Sequence, residues 1–280
     1  MADVSAKDVA ALRKITGAGM MDCKKALGEC DGDMNAAKDW LREKGLAGAS
    51  KREGRSADQG TVDVTLDGSV AALVEVNCET DFVAKGPQFK QLVADLVALV
   101  RSEGDEGIAD KKFAGATVGE ELAGLSATLG EKIELGRIAR YETSDGVLDA
   151  YKHVQNERGV IGVLVEVTGA GDGDKARAVA HDLALHIASA APRYVSRADV
   201  PEADIEHERG ILEAQTREEG KPDQAIPKIV EGKLGGYFKQ VVLLEQPFVR
   251  DNKVTIAGLL EALGSGAAVK RFVRVKIGEE

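Results

Sequence analysis

The chain has 280 residues, of which 44% are apolar, 30% are charged and 4% are aromatic, and its formal net charge is −10. A chain of this length can bury a sizeable core, and its longest apolar stretches are too short to cross a bilayer. The acidic balance argues against a direct contact with nucleic acid, because phosphate binding needs a basic face. With no signal-peptide layout in its first residues and no Cys-x-x-Cys spacing among its three cysteines, we expect a cytoplasmic protein.

Three short helices are predicted in residues 1–45 from the spacing of the apolar side chains. Gly17-Ala18-Gly19 separates the first helix from the second, Asp31-Gly32-Asp33 separates the second from the third, and Gly45 is predicted to end the third. Because so few helical residues bury little surface, we interpret this segment as a docking module. Residues 46–60 are rich in Gly, Ala, Ser and charge, and they are predicted to be a linker.

An internal repeat follows the predicted linker. Leu73-Val74-Glu75-Val76 and Leu164-Val165-Glu166-Val167 are identical and lie 91 positions apart. Each is predicted to lie in the second strand of a hairpin and to precede a helix. The two helices align at Asp95 and Asp182, which are 87 positions apart, so the first copy has four extra residues between strand and helix.

Each copy is predicted to be one subdomain, the first over residues 61–140 and the second over residues 141–280. The first is predicted to contain a hairpin about Asp67-Gly68, a helix beginning near Phe89 and a helix over residues 118–129. The second is predicted to contain a hairpin with a loop at Val154–Arg158, a helix over 174–190, an inserted helical hairpin at about 197–236, a strand over Val241–Leu244, a helix from Ile256 and a strand over Val269–Ile277. Strand–strand–helix units in tandem predict an α+β fold with two related subdomains.

The four extra residues fall within Cys78–Lys85, a connection that carries a carboxylate, an aromatic ring and a lysine. One hypothesis is that Phe82 folds back onto the core and Asp81 caps the next helix. The other is that Phe82 inserts into a partner and Asp81 is delivered beside it, because aromatic anchors on a rigid scaffold are typical of interface hot spots. A loop with more residues than its turn needs is a candidate for function.

Catalytic and cofactor sites are not indicated elsewhere. Cys78 follows an apolar strand with Glu79 beside it, so we expect a buried and unreactive thiol. His181 and His186 lie about 140° apart around a helix axis, which makes a shared metal difficult. The turn over residues 169–173 lacks the lysine of a phosphate-binding loop, so no cofactor is expected.

The motifs Thr16–Leu27, Glu75–Ala84 and Gln246–Val249 resemble those of bacterial elongation factor Ts, and the resemblance covers essentially the whole chain. It implies a translation factor that acts as a guanine-nucleotide exchange factor on elongation factor Tu, in its GDP-bound and nucleotide-free forms. It also implies that the N-terminal helices are similar to ubiquitin-associated domains.

The resemblance further implies which residues act. The loop Thr80-Asp81-Phe82-Val83 is expected to intrude near the magnesium site of the partner, with Phe82 between its helices and Asp81 disturbing the Mg²⁺ surroundings. Four residues of the N-terminal helices are expected to dock on the nucleotide-binding domain of the partner, and a position on the second subdomain is expected to contact a different domain; these are Arg13, Met20, Met21, Lys24 and His153. No catalytic residue is implied, because exchange needs no covalent chemistry.

Two other functions stay open from the residues alone: a scaffold or chaperone that holds a partner without changing its nucleotide state, and a thiol enzyme that uses Cys78. The inserted hairpin corresponds to a projection that dimerises in some family members. Only Ile205 and Leu212 mark a heptad seam here, which argues against a homodimer through residues 197–236. The sequence stops at Glu280, where some relatives continue into a further helical module.

Overall fold

A computed structural model of the chain describes residues 4–50, 52, 54–171, 173–264 and 266–279. Its first residues form α1 (Ala6–Thr16), α2 (Met20–Glu29) and α3 (Met34–Ser50). Ser5 caps α1 by accepting a hydrogen bond from the Asp8 N–H, and Gly17 ends it at a φ of 69°. The three helices share a small core of Val9, Leu12, Cys23, Ala26, Leu27 and Ala37.

The first copy of the repeat forms a three-stranded antiparallel sheet covered by helices. Its elements are β1 (Gln59–Asp67), β2 (Val70–Cys78), α4 (Asp81–Lys85), α5 (Pro87–Glu103), β3 (Lys112–Phe113), β4 (Ala116–Thr117), α6 (Val118–Leu129) and β5 (Ile133–Glu142). The strand order is β1-β2-β5, so the predicted hairpin is confirmed, while β5 was not predicted. Helix α6 has the bounds that the sequence predicted.

Helix α3 does not end at Gly45 as predicted. A Cβ on Gly45 would lie 3.0 Å from the Cβ of Ala127 on α6, so this glycine allows two helices to approach closely rather than ending one of them. Arg42 adds an ion pair to Glu120 of α6 at 2.5 Å. The predicted linker over residues 46–60 is therefore helical as far as Ser50, and the sheet begins at Gln59.

The second copy repeats this plan and adds to it. Its elements are β6 (Val147–Gln155), β7 (Arg158–Thr168), α7 (Asp174–Ala190), α8 (Glu202–Glu218), α9 (Ile226–Val241), β8 (Pro247–Phe248), β9 (Asp251–Thr255), α10 (Ile256–Glu261) and β10 (Ala268–Lys276). The strand order β10-β7-β6 again places the second hairpin strand at the centre. The repeat is thus confirmed, and α4 is the element that occupies the longer connection of the first copy.

Two predictions for the second copy are wrong. The hairpin loop expected at Val154–Arg158 is a two-residue turn, because Asn156 and Glu157 adopt positive φ angles of 50° and 65° that suit a tight hairpin turn. The strand expected over Val241–Leu244 is absent, since α9 continues to Val241. The apolar stripe of α9 carries on into the buried Val242, so packing extends the helix.

The two sheets pack face to face between their covering helices. On β2, Ala72 and Val74 face α5, whereas Ala71 and Leu73 face the second sheet. Leu164 of β7 lies in the same interface between the sheets. Central strands buried on both faces explain the nearly continuous apolar runs of the repeat.

Helices α8 and α9 pack against each other as an inserted hairpin. Ile205 and Leu212 of α8 contact the cluster that contains Val230 and Leu234 of α9. The residues predicted to mark a seam between two chains are therefore used within one hairpin. The α+β class with N-terminal helices, two related sheet units and a helical insertion is confirmed. In the described part of the chain, every helix is too short or too polar to cross a membrane.

Candidate functional site

The residues Thr80-Asp81-Phe82-Val83, named here the Phe82 turn, join β2 to the short helix α4. The Thr80 hydroxyl accepts a hydrogen bond from the Val83 N–H at 3.4 Å and caps the helix, while Ala84 is buried beneath it. The Phe82 side chain is 83% exposed, the largest value among the exposed apolar side chains of the described residues. The hypothesis that Phe82 folds onto the core and Asp81 caps the helix is therefore wrong, because Thr80 is the cap.

Asp81 opens helix α4 with a paired carboxylate. The Lys85 ammonium, one turn further on, lies 2.5 Å from Asp81 Oδ2. This hydrogen bond holds the pKa of the Asp81 carboxyl below its usual range, with Arg158 adding a weaker attraction. The turn thus presents a bare aromatic ring next to an ionised carboxylate whose charge is partly offset by its own lysine.

The turn is fixed from behind by Glu131, which the sequence did not indicate. The Thr80 N–H and hydroxyl donate to the two carboxylate oxygens of Glu131 at 3.0 and 2.6 Å. Glu131 lies between α6 and β5, 51 residues further along the chain. Only the pairing of β2 with β5 brings it there, and β5 was not predicted, so no spacing in the sequence could have found it.

The N-terminal helices place the four predicted docking residues on their outer surface. Arg13 lies on α1, and Met20, Met21 and Lys24 lie on α2, all exposed. The two methionines are 55% and 73% exposed, so both lie outside the core of the three helices. Ile15 of α1 is also an exposed apolar side chain, at 58%.

A cleft of about 810 Å³ lies between the N-terminal helices and the first sheet unit, beside the contact of α3 with α6. It is lined by Gly17-Ala18-Gly19 on one side and by Gln88 and Thr128 on the other. Because Gln88 belongs to the first turn of α5, the start of α2 lies across this cleft from the segment that follows the Phe82 turn.

His153 lies apart from both groups, exposed on β6 of the second sheet. Its Nδ1 is 3.2 Å from the Tyr151 hydroxyl, and one of the two atoms donates to the other. At the end of the same hairpin, the Lys90 ammonium donates to the Glu157 carbonyl at 3.4 Å, which ties the hairpin to helix α5. The predicted residues therefore fall into three exposed groups.

Cys78, His181 and His186 are each held by contacts within the fold. Burial, followed by the charge of Glu131, raises the pKa of the Cys78 thiol to about 12. His181 pairs with Asp149 at 3.2 Å on the surface, whereas His186 is buried and hydrogen-bonded to Gln246 at 2.8 Å. The two histidines therefore have separate partners within the fold.

The sequence profile of a family described as elongation factor Ts matches residues 79–279. The chain belongs to the elongation factor Ts family. Elongation factor Ts of Thermobifida fusca is 46% identical, with both chains covered completely, and that of Micrococcus luteus is 45% identical over 99% of this chain and 100% of the relative. Elongation factor Ts of Rhodospirillum centenum is 45% identical over all of this chain and 94% of the relative. The chain is thus a translation elongation factor.

Membership of the elongation factor Ts family gives the three exposed groups a common context. The profile match begins at Glu79, next to the Phe82 turn, and includes His153. The whole-length matches to elongation factor Ts relatives also cover the N-terminal helices with Met20 and Met21. All three groups therefore lie within the part of the chain that the elongation factor Ts relatives match.

Proposed function

We propose that this chain is a guanine-nucleotide exchange factor that binds elongation factor Tu·GDP and promotes the release of GDP. In this proposal residues 1–45 dock on the nucleotide-binding domain of the partner, residues 61–140 carry the Phe82 turn, and residues 141–280 contact a second domain through His153. The factor itself supplies no covalent chemistry. It changes the stability of the complex between its partner and the nucleotide.

The energetic task sets what the docking groups must do. A nucleotide held with nanomolar affinity is bound by about −12 kcal/mol. An exchange factor must weaken this binding by several kcal/mol, and by reciprocity the nucleotide weakens the binding of the factor equally. Docking at two separated groups provides the binding free energy, and the Phe82 turn converts part of it into distortion at the metal and phosphate site.

The exposure of Phe82 is the observation that carries the proposal. Burying a phenylalanine ring is favourable by a substantial free energy. Phe82 is 83% exposed on an anchored turn, so this free energy is available for binding a partner. Its neighbour Asp81 is ionised and lies one residue away, so insertion of the ring also brings a negative charge. A carboxylate near a Mg²⁺ site competes with the oxygens that hold the ion. One insertion can thus disturb both the helices and the metal of the partner.

The test is the rate at which elongation factor Tu releases a fluorescent GDP analogue as the concentration of this protein is increased. We expect Phe82→Ala to lower the maximal rate by at least about thirtyfold, because truncating an aromatic hot spot costs about 2 kcal/mol or more. The matched control is Ile211→Ala, which truncates an exposed apolar side chain on α8 and should leave the rate unchanged.

The outcomes separate the two binding functions. Binding by the wild-type protein without faster GDP release would favour the scaffold or chaperone. Acceleration that survives Asp81→Ala combined with Phe82→Ala would keep the exchange function and assign it to the docking surfaces instead.

A further inference from the structure

Side chains continue the β2–β5 pairing beyond the last backbone rung. The backbone ladder ends where Cys78 faces Ile133. In the same register Glu79 would face Lys132 and Thr80 would face Glu131. The Lys132 N–H donates to Glu79 Oε1 at 2.6 Å, and the Thr80 N–H donates to Glu131 Oε2 at 3.0 Å. Two carboxylates thus replace two backbone carbonyls and extend the ladder by two rungs.

The Glu131 carboxylate also sets the helix cap of the Phe82 turn. The Thr80 hydroxyl donates its proton to Glu131 Oε1 at 2.6 Å, so its lone pairs are free to accept from the Val83 N–H. Glu131 is itself fixed, since its backbone carbonyl accepts a hydrogen bond from the Ser126 hydroxyl of α6 at 2.5 Å. Hydrogen bonds to an ionised acceptor are about twice as strong as neutral ones.

The two hydrogen bonds from Thr80 to the Glu131 carboxylate are named here the Glu131 clamp. Among the residues that the structure describes in the second copy, the equivalent place has no such clamp. At the end of the β7–β10 pair, Gly169 lies so close to Gly266 that a Cβ would be 1.9 Å from its carbonyl oxygen. Two glycine backbones meet directly, and no carboxylate fits between them. The carboxylate rungs therefore occur in the copy that carries the exposed aromatic ring.

We propose that Glu131 is a positioning residue for nucleotide exchange, acting through Thr80 to hold the Phe82 turn in its inserting geometry. This inference rests on the proposed exchange function. Helix α4 has five residues, far fewer than a helix needs to be stable alone, so its geometry depends on its cap and anchors. An anchored turn loses less conformational entropy when the ring enters a partner, which favours insertion.

The first measurement is amide hydrogen exchange in the free protein. We expect Glu131→Ala to speed exchange at the Thr80 and Val83 amides at least about tenfold, because the Thr80 N–H loses its acceptor and the Thr80 hydroxyl that accepts from the Val83 N–H is no longer oriented by Glu131. Glu131→Gln, which keeps one acceptor oxygen, should have an intermediate effect. If Glu131→Ala does not fold, Glu131→Gln takes its place in the test. The control is Glu134→Gln, which removes the charge of a partly exposed glutamate on β5 that pairs with Lys132.

The second measurement is GDP release from elongation factor Tu. We expect Glu131→Ala to lower the maximal rate about tenfold while leaving the half-saturating concentration unchanged, since the docking residues are untouched. In a Phe82→Ala background the same substitution should cause no further loss, because Glu131 acts through the ring.

Each result bears on a separate part of the proposal. Unchanged amide exchange in Glu131→Ala would overturn the clamp, whatever the partner. Faster amide exchange with an unchanged maximal rate, or losses that add to those of Phe82→Ala, would overturn the positioning role. If the wild-type protein does not accelerate GDP release, the proposed function and the positioning role both fail, while amide exchange still decides whether the clamp exists.

Discussion

Cys78 lies at the end of β2, directly behind the Phe82 turn, and its thiol donates a hydrogen bond to the Thr80 carbonyl at 3.2 Å. Burial and the charge of Glu131 raise the pKa of this thiol to about 12, so it stays protonated at pH 8. We therefore expect Cys78→Ser to leave the rate of GDP release unchanged. We also expect Cys78 to resist iodoacetamide in the folded protein, as measured by mass spectrometry.

The opposite result would support the hypothesis of a thiol enzyme that uses Cys78. It would require that Cys78→Ser abolishes an activity and that Cys78 is alkylated in the native state. The partly exposed Cys30 is the internal control for labelling, because it does not share the burial of Cys78.

At the scale of single residues, the sequence singled out Phe82 as a candidate but not the glutamate that supports its turn. Phe82 could be identified because a large aromatic side chain has no reason to occupy a long connection unless the core or a partner takes it. The sequence left those two outcomes open; the exposed ring and the position of Thr80 as the cap exclude the first, and insertion into a partner stays a prediction. Glu131 could not be identified, because its role depends on a strand pairing across 51 residues.

At the scale of elements, the two identical Leu-Val-Glu-Val segments carry matching buried ion pairs. Glu75 pairs with Arg137 at 2.8 Å, and Glu166 pairs with Arg271 at 2.6 Å and with Lys270 at 2.9 Å. Each arginine lies on the third strand of its sheet, next to an irregularity in the strand register. The bulges aim the arginines inward, so each repeated glutamate has a cation on the adjacent strand.

Breaking one of these pairs should be costly. We expect Arg271→Met to lower the free energy of unfolding by about 3 kcal/mol, the low end for a broken buried pair, because the guanidinium is partly exposed and Lys270 stays. Urea unfolding measures this loss. The control is Arg217→Met, which breaks an exposed pair on α8 and should cost less than about 1 kcal/mol.

The decrease in the free energy of unfolding caused by Arg271→Met should depend on pH. Burial opposes ionisation of Glu166, but hydrogen bonds from Lys270 and Arg271 outweigh it and hold the pKa of this carboxyl below its usual range. A lowered pKa stabilises the fold above the unfolded-state pKa of about 4.3, and the contribution disappears as the pH falls through the folded-state pKa. The difference between Arg271→Met and wild type should therefore shrink at low pH. A difference that is the same at pH 7 and pH 3 would show that Arg271 acts through packing alone.

The elements that the sequence failed to predict are those whose patterns are set by packing. Strand β5 has only Ile133 buried, so it lacks the alternation that indicates a strand. Gly45 carries a helix-ending signal, yet its contact with Ala127 continues α3. The central strands and their covering helices were predicted correctly, because burial on both faces leaves long apolar runs.

At the scale of the whole molecule, the two sheets are locked by reciprocal hydrogen bonds. Arg137 of the first sheet donates to the Lys276 carbonyl of the second at 2.9 Å, and Arg271 of the second donates to the Glu142 carbonyl of the first at 3.2 Å. The same arginines that neutralise the repeated glutamates thus join the two copies. The N-terminal helices pack on the first sheet unit through the contact of α3 with α6, and His153 lies on the second sheet, so the paired sheets hold the two proposed docking groups at a fixed separation.

The contact between the sheets requires glycine at position 162 of β7. A Cβ there would lie 2.6 Å from Val62 Cγ2 and 2.8 Å from Leu73 Cδ1, closer than carbon atoms approach. We expect Gly162→Ala to lower the free energy of unfolding by about 1–3 kcal/mol through overpacking, as measured by urea unfolding. The control is Gly236→Ala in α9, where no atom lies within 4 Å of the added Cβ and helix propensity should raise stability by about 0.5–1 kcal/mol.

The same substitution tests whether the fixed separation matters for exchange. If both docking groups act on one partner, a Gly162→Ala protein that is still folded should need a higher concentration for half-maximal GDP release, because its sheets are pushed apart and the two contacts no longer form together without strain. Phe82 and its clamp are unaltered in this variant, so the maximal rate should stay that of the wild type. A lowered maximal rate at an unchanged half-saturating concentration would instead place the effect in the turn, and would contradict docking at two groups held by the paired sheets.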